Sequence, residues 1–417
     1  MDATLPLDFS RGALTDEGLY ILQIRNMWQG AGLEWFTSDA LLKTPLYNLI
    51  LFPFIGLNSL WSIRLILVLL SGFAWSKLLT KVNTIGLIIF ALCLCQSTIF
   101  LHHHFAMAEV MVTSFITLAI YYIFYGKANH YLGLGLLFAC AAVKIQYIYL
   151  LALTPVFIYY IYLVKGRIQL KKLVLSTLPL IFLVILGFYF SDNYLFILKS
   201  QSVGKFQEFG NWWFRIKVNV TPMFQDLGSL IVLTIFMLST ILVLLNWKKL
   251  QRVQKWRWLA LYFMLILESH KLLLIYLPQR YLFLWWCILS TISILSISQF
   301  APFRKIYLST LIIPIYFIAV NFSNGTFQIL QFQSKIQKAA PKKCLIGPWS
   351  GSLAIGSNKI AYPAWKSYFE NRDKWEGKDV HIIREYNDKD NEGLFENIEF
   401  KDTIINEKIH DWRILIH

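Results

Sequence analysis

Apolar residues run in long blocks from residue 45 to residue 322, separated by short polar turns, while both ends of the chain are mixed. A helix needs about 20 apolar residues to cross a bilayer. Blocks near that length cover 60–80, 85–102, 110–126, 130–145, 147–164, 173–190, 227–246, 258–276, 282–299 and 306–322. The pattern predicts an all-α polytopic membrane protein with about 10 transmembrane helices over 60–322. A β-barrel would show short alternating segments instead.

Two shorter segments read as helices lying in the membrane interface. PLYNLILFPFIGL (45–57) is too short to span with ease and holds Pro45 and Pro53, which interrupt a helix. In LTDEGLYILQIRNMWQ (14–29), Thr15 is placed to cap a helix and the acids fall in its first turn. Tyr20, Ile24 and Met27 then form an apolar stripe at helical spacing. Residues 1–59 are therefore expected to form a first extracytoplasmic loop. Beyond residue 322 the period changes, and DVHIIREY (379–386) and DWRILIH (411–417) read as short strands. A small α/β extracytoplasmic domain is expected over 323–417, long enough for a modest core.

Composition agrees with this picture: 57% of residues are hydrophobic and 15% charged, against about 25% charged in soluble domains. The net charge of +15 does not point to nucleic acid, because its distribution has a topological explanation. Lys77, Lys81, Lys127, KGRIQLKK (165–172), KKLQRVQKWR (248–257) and FRK (303–305) fall in loops without acids. The alternate loops hold Asp16, Glu17, Glu34, Asp39, Glu109, Asp192, Glu208 and Asp226. The basic set is assigned to the cytoplasm. The amino tail, the 103–109 turn, the 191–226 loop, the 277–281 turn and the carboxyl tail then face outward. Cys93, Cys95, Cys140 and Cys287 lie in apolar runs and Cys344 stands apart, so no disulfide framework or zinc spacing is evident. The first 44 residues contain no signal-peptide core.

Ionisable residues gather at the outer ends of the predicted spans: Asp16, Glu17, Lys43, His102-His103-His104, Glu109, Lys144, Glu268, His270, Lys271 and Arg280. Such groups are costly in a bilayer and persist mainly where they pair or face a cavity, so an outward-opening polar cleft is expected. An ionised Asp16 can accept a proton from an attacking hydroxyl, although acidic pairs in exposed tails are usually just solvated. Lys43 is either a snorkelling lysine or a point-charge ligand for lipid phosphate. Three adjacent histidines on a helix cannot converge on one ion, so His103 is a weak metal candidate. Glu109 is a candidate to orient the base or to hold a divalent cation, or else an ordinary interfacial glutamate. Lys144 and Arg280 suit an anionic substrate or a structural ion pair. The sequons Asn219-Val220-Thr221 and Asn324-Gly325-Thr326 fall on the outer side of this scheme.

The order of these pieces resembles the GT-C glycosyltransferases, in particular the branch of dolichyl-phosphate-mannose–protein mannosyltransferases and aminoarabinose–lipid A transferases. The resembling positions are Asp16-Glu17 with Tyr20, Lys43-Thr44-Pro45-Leu46, Arg64 in WSIRLIL, Glu109 in AMAEVMVTSF, Lys144 in ACAAVKIQY, and Arg280-Tyr281-Leu282. They cover most of residues 10–300. Leu19, Thr44 and Glu109 depart from the residues usual in that branch, which bears on the donor more than on the reaction type. Relatives carry one transmembrane helix before the acidic pair, so the resemblance implies a chain shortened at its amino end.

The resemblance implies an inverting transfer of sugar from a polyprenyl-phosphate donor to an acceptor hydroxyl, on the outer face of what is expected to be a bacterial inner membrane. Asp16 would be the general base and Glu17 would orient it or the acceptor. Tyr20, Lys43, Lys144, Arg280 and Tyr281 would bind substrate, with a lipid, glycan or protein as acceptor. A divalent metal cation at Glu109 is the one cofactor considered. The loop 191–226 would cover the cleft with Trp212 and Trp213, or these tryptophans belong to an interfacial aromatic belt. The rival classes are a transporter or flippase of lipid-linked sugars, and another polysaccharide-assembly enzyme such as a polymerase or ligase.

Overall fold

The computed structural model describes Gly18, Arg25, most of 45–189 and most of 212–300. Beyond residue 334 it describes chiefly 344–347, 350–354, 359–362, 379–385, 405–409 and 412–416. The chain divides into two compact units. One comprises Met1–Ile66, His104–Met107 and Phe322–His417; the other comprises Leu67–His103 and Ala108–Asn321.

The helices are α1 (Pro45–Ile55), α2 (Leu60–Leu79), α3 (Thr84–Cys93), α4 (Ala108–Tyr125), α5 (His130–Val143) and α6 (Thr154–Lys165). They continue with α7 (Leu170–Ser176), α8 (Leu178–Tyr189), α9 (Trp212–Gln225), α10 (Leu227–Leu245), α11 (Arg252–Ser269) and α12 (Phe283–Phe300). Among the described residues, five segments are long and apolar enough to cross a membrane: Ser62–Leu79, Ala108–Tyr125, Ile145–Lys165, Leu227–Leu245 and Phe283–Phe300. The block expected at 306–322 lies outside the described residues.

Five expectations change. The block 173–190 is interrupted at Thr177, between α7 and α8. The helix of the block 85–102 ends at Cys93, capped by Leu94. The block 147–164 is not one α-helix: a 3-10 helix, Ile145–Leu153, hands over to α6 at Thr154, where Pro155 sits in the first turn and its missing N–H costs nothing. The helix expected from 258 starts at Arg252, because Gln251 and Gln254 form a reciprocal capping box that draws RVQKWR into α11. Residues 212–225, expected within a loop, form α9. Its partly or fully buried positions Ile216, Asn219, Val220 and Met223 recur at helical spacing, while the stacked Trp212 and Trp213 are exposed.

Position in the helical unit follows from side-chain size and cap chemistry. α4 and α12 are 83% and 78% buried over their apolar windows, against 28% for α10, so the first two are central and the third is peripheral. α4 and α5 are consecutive helices joined by a short turn. They approach so closely at Gly133 that an added Cβ would lie 2.6 Å from Ile123 Cγ1 and 3.0 Å from the Ala119 carbonyl oxygen. Small residues allow such approach between membrane helices, and α5 supplies Gly133, Ala139, Cys140, Ala141 and Ala142. α10 starts where the Asp226 carboxylate accepts from Ser229 N at 2.8 Å and from its hydroxyl at 2.6 Å. Ser296 on α12 donates to the Ser239 carbonyl on α10 at 2.9 Å.

In the other unit, residues 344–416 contribute a mixed sheet of β1 (Cys344–Ile346), β2 (Ile360–Tyr362), β3 (Val380–Glu385), β4 (Ile405–Ile409) and β5 (Trp412–Ile416). Its order is β2-β1-β3-β5-β4, parallel among the first three and antiparallel at β3–β5 and β5–β4. The strands anticipated at 379–386 and 411–417 are β3 and β5. Register aligns Ile346, Tyr362 and Ile382 on one face, and Leu345, Ala361 and His381 on the other. All six are buried, the two-sided burial usual for parallel strands. Gly347 ends β1 with φ +128, and a Cβ there would lie 1.9 Å from the Ile383 carbonyl oxygen, so glycine is required.

Gly133→Val is expected to lower the thermal midpoint of the detergent-solubilised protein, at a cost of about 1–3 kcal/mol from overpacking. Gly72→Ala, exposed on α2 with nothing within 4 Å, should leave the midpoint unchanged or raise it. Equal midpoints for wild type and Gly133→Val would contradict the close approach of α4 and α5.

Candidate functional site

Chain geometry brings the start of α4 beside the end of α5. α4 begins at Ala108 and places Glu109 in its first turn, where the helix dipole favours an acid. Lys144 caps the end of α5 in an extended conformation, φ −150 and ψ 113, where the dipole favours a cation. Their side chains, 1% and 3% exposed, meet with Lys144 Nζ 2.5 Å from Glu109 Oε1.

A second pair lies in the same unit at the end of α11. Glu268 and Lys271 stand three residues apart, and Lys271 Nζ donates to Glu268 Oε2 at 2.7 Å. The Tyr149 hydroxyl donates to the other carboxylate oxygen, Glu268 Oε1. Lys271 Nζ also donates to the Tyr281 carbonyl at 3.0 Å. That residue links the pairs, since its ring lies 5.1 Å from Lys144 Nζ. The Lys271 ammonium in turn sits 4.4 Å from the centre of the Tyr147 ring and 5.8 Å from that of Tyr149. Aromatic faces attract such cations more strongly when desolvated. His270 packs edge-on against Tyr149 at 4.6 Å between centroids, and its Nδ1 contacts the Leu267 carbonyl.

The result is a buried cluster of two carboxylates, two ammoniums and three tyrosines. A buried charge carries a desolvation cost of several kcal/mol even after relaxation, so the opposite pairing is what makes the burial tolerable. Much of the cluster rests on 3-10 turns. Tyr147 and Tyr149 belong to Ile145–Leu153, Lys271 to His270–Leu273, and Tyr281 to Gln279–Leu282. The Tyr147 N–H donates to the Lys144 carbonyl at 2.9 Å, which ties the first turn of Ile145–Leu153 to the end of α5.

The remaining candidates fare differently. Asp16, Glu17, Tyr20, Lys43 and His103 lie outside the described residues. Arg280 falls in the Gln279–Leu282 turn, one residue before Tyr281. Arg64 is buried in α2. At Glu109, the metal candidate, the Lys144 ammonium sits against the carboxylate, and no group of three His, Cys, Asp or Glu is arranged for a metal among the described residues. The sequon at Asn219 is committed elsewhere: its amide nitrogen, the atom a glycan would occupy, donates to the Leu272 and Leu274 carbonyls at 2.9 Å each. The Asn324 sequon lies outside the described residues.

Glu268 and Lys271 were expected among the ionisable residues of a polar cleft but not as a pair with each other, and the ring faces of Tyr147 and Tyr149 were not anticipated as parts of a site. The pair had a signal, ESHK at 268–271 between apolar runs. The tyrosines had none, standing in a segment already crowded with aromatic residues.

No protein-family model matches the sequence, and no curated protein matches it. Among solved structures, the crystal structure of ArnT from Cupriavidus metallidurans in the apo state is similar at 12% identity and a TM-score of 0.42, over 96% of this chain and 93% of that one.

Lys144→Met is expected to destabilise the protein by about 3–5 kcal/mol, because it leaves Glu109 as an uncompensated buried charge. The double variant Glu109→Gln/Lys144→Met should lose less than the sum of the two single variants. Unfolding in detergent measures the cycle, and additive losses would mean that the two groups do not interact.

Proposed function

We propose that this chain is a GT-C-type membrane glycosyltransferase that moves a sugar from a polyprenyl-phosphate donor to an acceptor hydroxyl, with inversion, on the extracytoplasmic side of a bacterial inner membrane. The observation that carries this reading is the convergence of Glu109, Lys144 and Tyr281. They lie far apart in sequence, all fall at positions of the family resemblance, and come together in one buried charged cluster.

The chemistry assigns each group a task. Asp16 takes the acceptor proton as general base, and Glu17 orients it. The acceptor oxygen attacks the anomeric carbon opposite the phosphate. The bond from that carbon to the phosphate oxygen breaks, and the electron pair leaves with the polyprenyl phosphate. That oxygen gains negative charge in the transition state, which fixed cations stabilise more than they stabilise the ground state. Lys43, Lys144 and Arg280 are assigned this role. Tyr20 and Tyr281 contact substrate. Glu109 holds Lys144 in place. The acceptor is a lipid, a glycan or a protein.

One feature favours a second reading. The break at Lys144 between α5 and the following 3-10 helix is the kind of interruption at which transporters bind ions and substrates. A transporter or flippase of lipid-linked sugars would move the donor without cleaving it.

Asp16→Asn is expected to reduce transfer by about 10²–10⁴-fold, the usual contribution of a general base, while native mass spectrometry still finds the polyprenyl-phosphate sugar bound. Transfer at the wild-type rate would overturn the base assignment. Movement of intact donor across proteoliposomes with no transfer product would establish the second reading.

A further inference from the structure

Within the helical unit, the start of α11 meets α6, α4 and the end of α12 in a face that is basic and aromatic and carries no acid. The runs 154–177 and 246–257 hold Lys and Arg but neither Asp nor Glu. Arg252, exposed in the first turn of α11, donates from Nη2 to the Tyr159 hydroxyl on α6 at 2.5 Å. Its guanidinium carbon lies 6.0 Å from the centre of that ring. The Tyr159 ring is itself set edge-on against Trp256 at 4.7 Å between centroids. Arg257, on another side of α11, donates from Nη2 to Gln299 Oε1 on α12 at 2.5 Å. Its guanidinium lies 5.4 Å from the centre of the Tyr125 ring and 5.6 Å from that of Trp258. Arg257 Nε and Nε1 of the fully buried Trp258 have no hydrogen-bond partner.

The two arginines are therefore fixed by neutral partners, and among the described residues neither pairs with a carboxylate. A guanidinium presents five donors in a rigid fork suited to phosphate, and Arg252 is an exposed fork already held in place. The local charge has no internal compensation. Lys248, Lys249, Arg252, Lys255 and Arg257 fall within ten residues. The positive end of a helix dipole disfavours cations, and the first turn of α11 holds no acid to offset them. An anion from outside the chain removes this conflict.

The surroundings indicate which anion. Leu244 and Leu245, at the end of α10, are exposed three residues before the exposed Lys248 and Lys249. Leu259 and Ile266 are exposed further along α11. On the neighbouring α7, Leu170, Val174 and Leu175 are exposed together with Lys171 and Lys172. Apolar surface that gives way so abruptly to ammonium groups suits the boundary between acyl chains and headgroups, where basic and aromatic side chains settle. Inorganic phosphate has nothing to place on the leucines, whereas a phospholipid offers chains to them and a phosphate to the arginine.

We propose that this face binds acidic phospholipid, with Arg252, held by Tyr159 and Trp256, receiving the headgroup phosphate, and with Lys248, Lys249 and Lys255 adding longer-range attraction. Clusters of Lys and Arg beside a membrane helix attract anionic lipid in this way. None of these residues has a task in sugar transfer, so the binding is independent of which reaction the chain performs.

The test uses the full-length protein in a neutral detergent, offered equimolar phosphatidylglycerol and phosphatidylcholine. Native mass spectrometry reads which lipid stays bound, and thermal midpoints are measured with each lipid and with inorganic phosphate. Wild type should retain phosphatidylglycerol in preference and gain in midpoint with it. Arg252→Gln should cut the preference about fivefold, the factor that one basic residue contributes beside anionic lipid. Arg252→Lys keeps the charge without the fork, and Tyr159→Phe keeps the ring without the fixing hydroxyl; both should fall between. Lys217→Gln, which removes an equal charge from the exposed side of α9, should match wild type. Equal retention of the two lipids by wild type overturns the proposal. So does an equal fall in Arg252→Gln and Lys217→Gln, which would make the preference a matter of net charge. A midpoint rise with inorganic phosphate as large as that with phosphatidylglycerol overturns the lipid in favour of a free anion. If Arg252→Gln does not fold, wild-type preference in both Arg252→Lys and Tyr159→Phe overturns the assignment of Arg252.

Discussion

The helical unit depends on matching opposite charges where water is excluded. Glu109 against Lys144 and Glu268 against Lys271 place four full charges in a buried cluster, a placement that no amount of apolar packing compensates if one partner is missing. The constraint reaches outward to the elements that carry the charges. α4 must begin where α5 ends, and α11 must stop in a 3-10 turn that keeps Lys271 within reach of Glu268. The Gln279–Leu282 turn must offer its Tyr281 carbonyl to one ammonium and its ring to the other. Hydrophobic blocks make the helices, while the charges select which helix ends are adjacent.

Away from the cluster, the polar economy is local. Ser114, Thr117, Ser290, Thr291 and Ser293 each donate to a carbonyl four residues back within their own helix. Hydroxyls satisfied in this way can be buried without a partner from a neighbouring element. The helices α4 and α12 can therefore be central while carrying several polar residues. α10 is the contrasting case. It exposes Leu227, Met237, Leu238, Ile241, Leu244 and Leu245, an outer apolar surface consistent with contact to lipid chains.

Helix existence was legible in the sequence because long apolar blocks leave few alternatives. What happens inside or beside a block was less legible. The 3-10 stretch Ile145–Leu153 has the same apolar content as an α-helix, so periodicity could not separate them. α9 was hidden because WWFRIKVNVTPMFQ carries two basic residues, an asparagine and a proline, and its register becomes evident only when Asn219 docks on the 270–274 turn. Within the site, Glu109 and Lys144 stood out because charges are conspicuous against an apolar background, whereas Tyr281 was reached only through the resemblance at Arg280-Tyr281-Leu282. Tyr147 and Tyr149 contribute ring faces to Lys271, and no one-dimensional pattern distinguishes a tyrosine that receives a cation from one that fills space.

The bond from Arg25 to the Lys359 carbonyl joins positions 334 residues apart, and that interval imposes an order on biogenesis. Synthesis proceeds at roughly 5–20 residues per second, so the guanidinium emerges on the order of twenty seconds to a minute before its acceptor exists. Throughout that time the helical unit is being inserted while the amino-terminal segment has nothing from the sheet to rest on. Closing so long a loop adds little entropy cost beyond that of a shorter one, so the delay is kinetic rather than thermodynamic. A nascent chain stalled before residue 359 would hold every helix of the other unit and still lack the contact that buries Arg25.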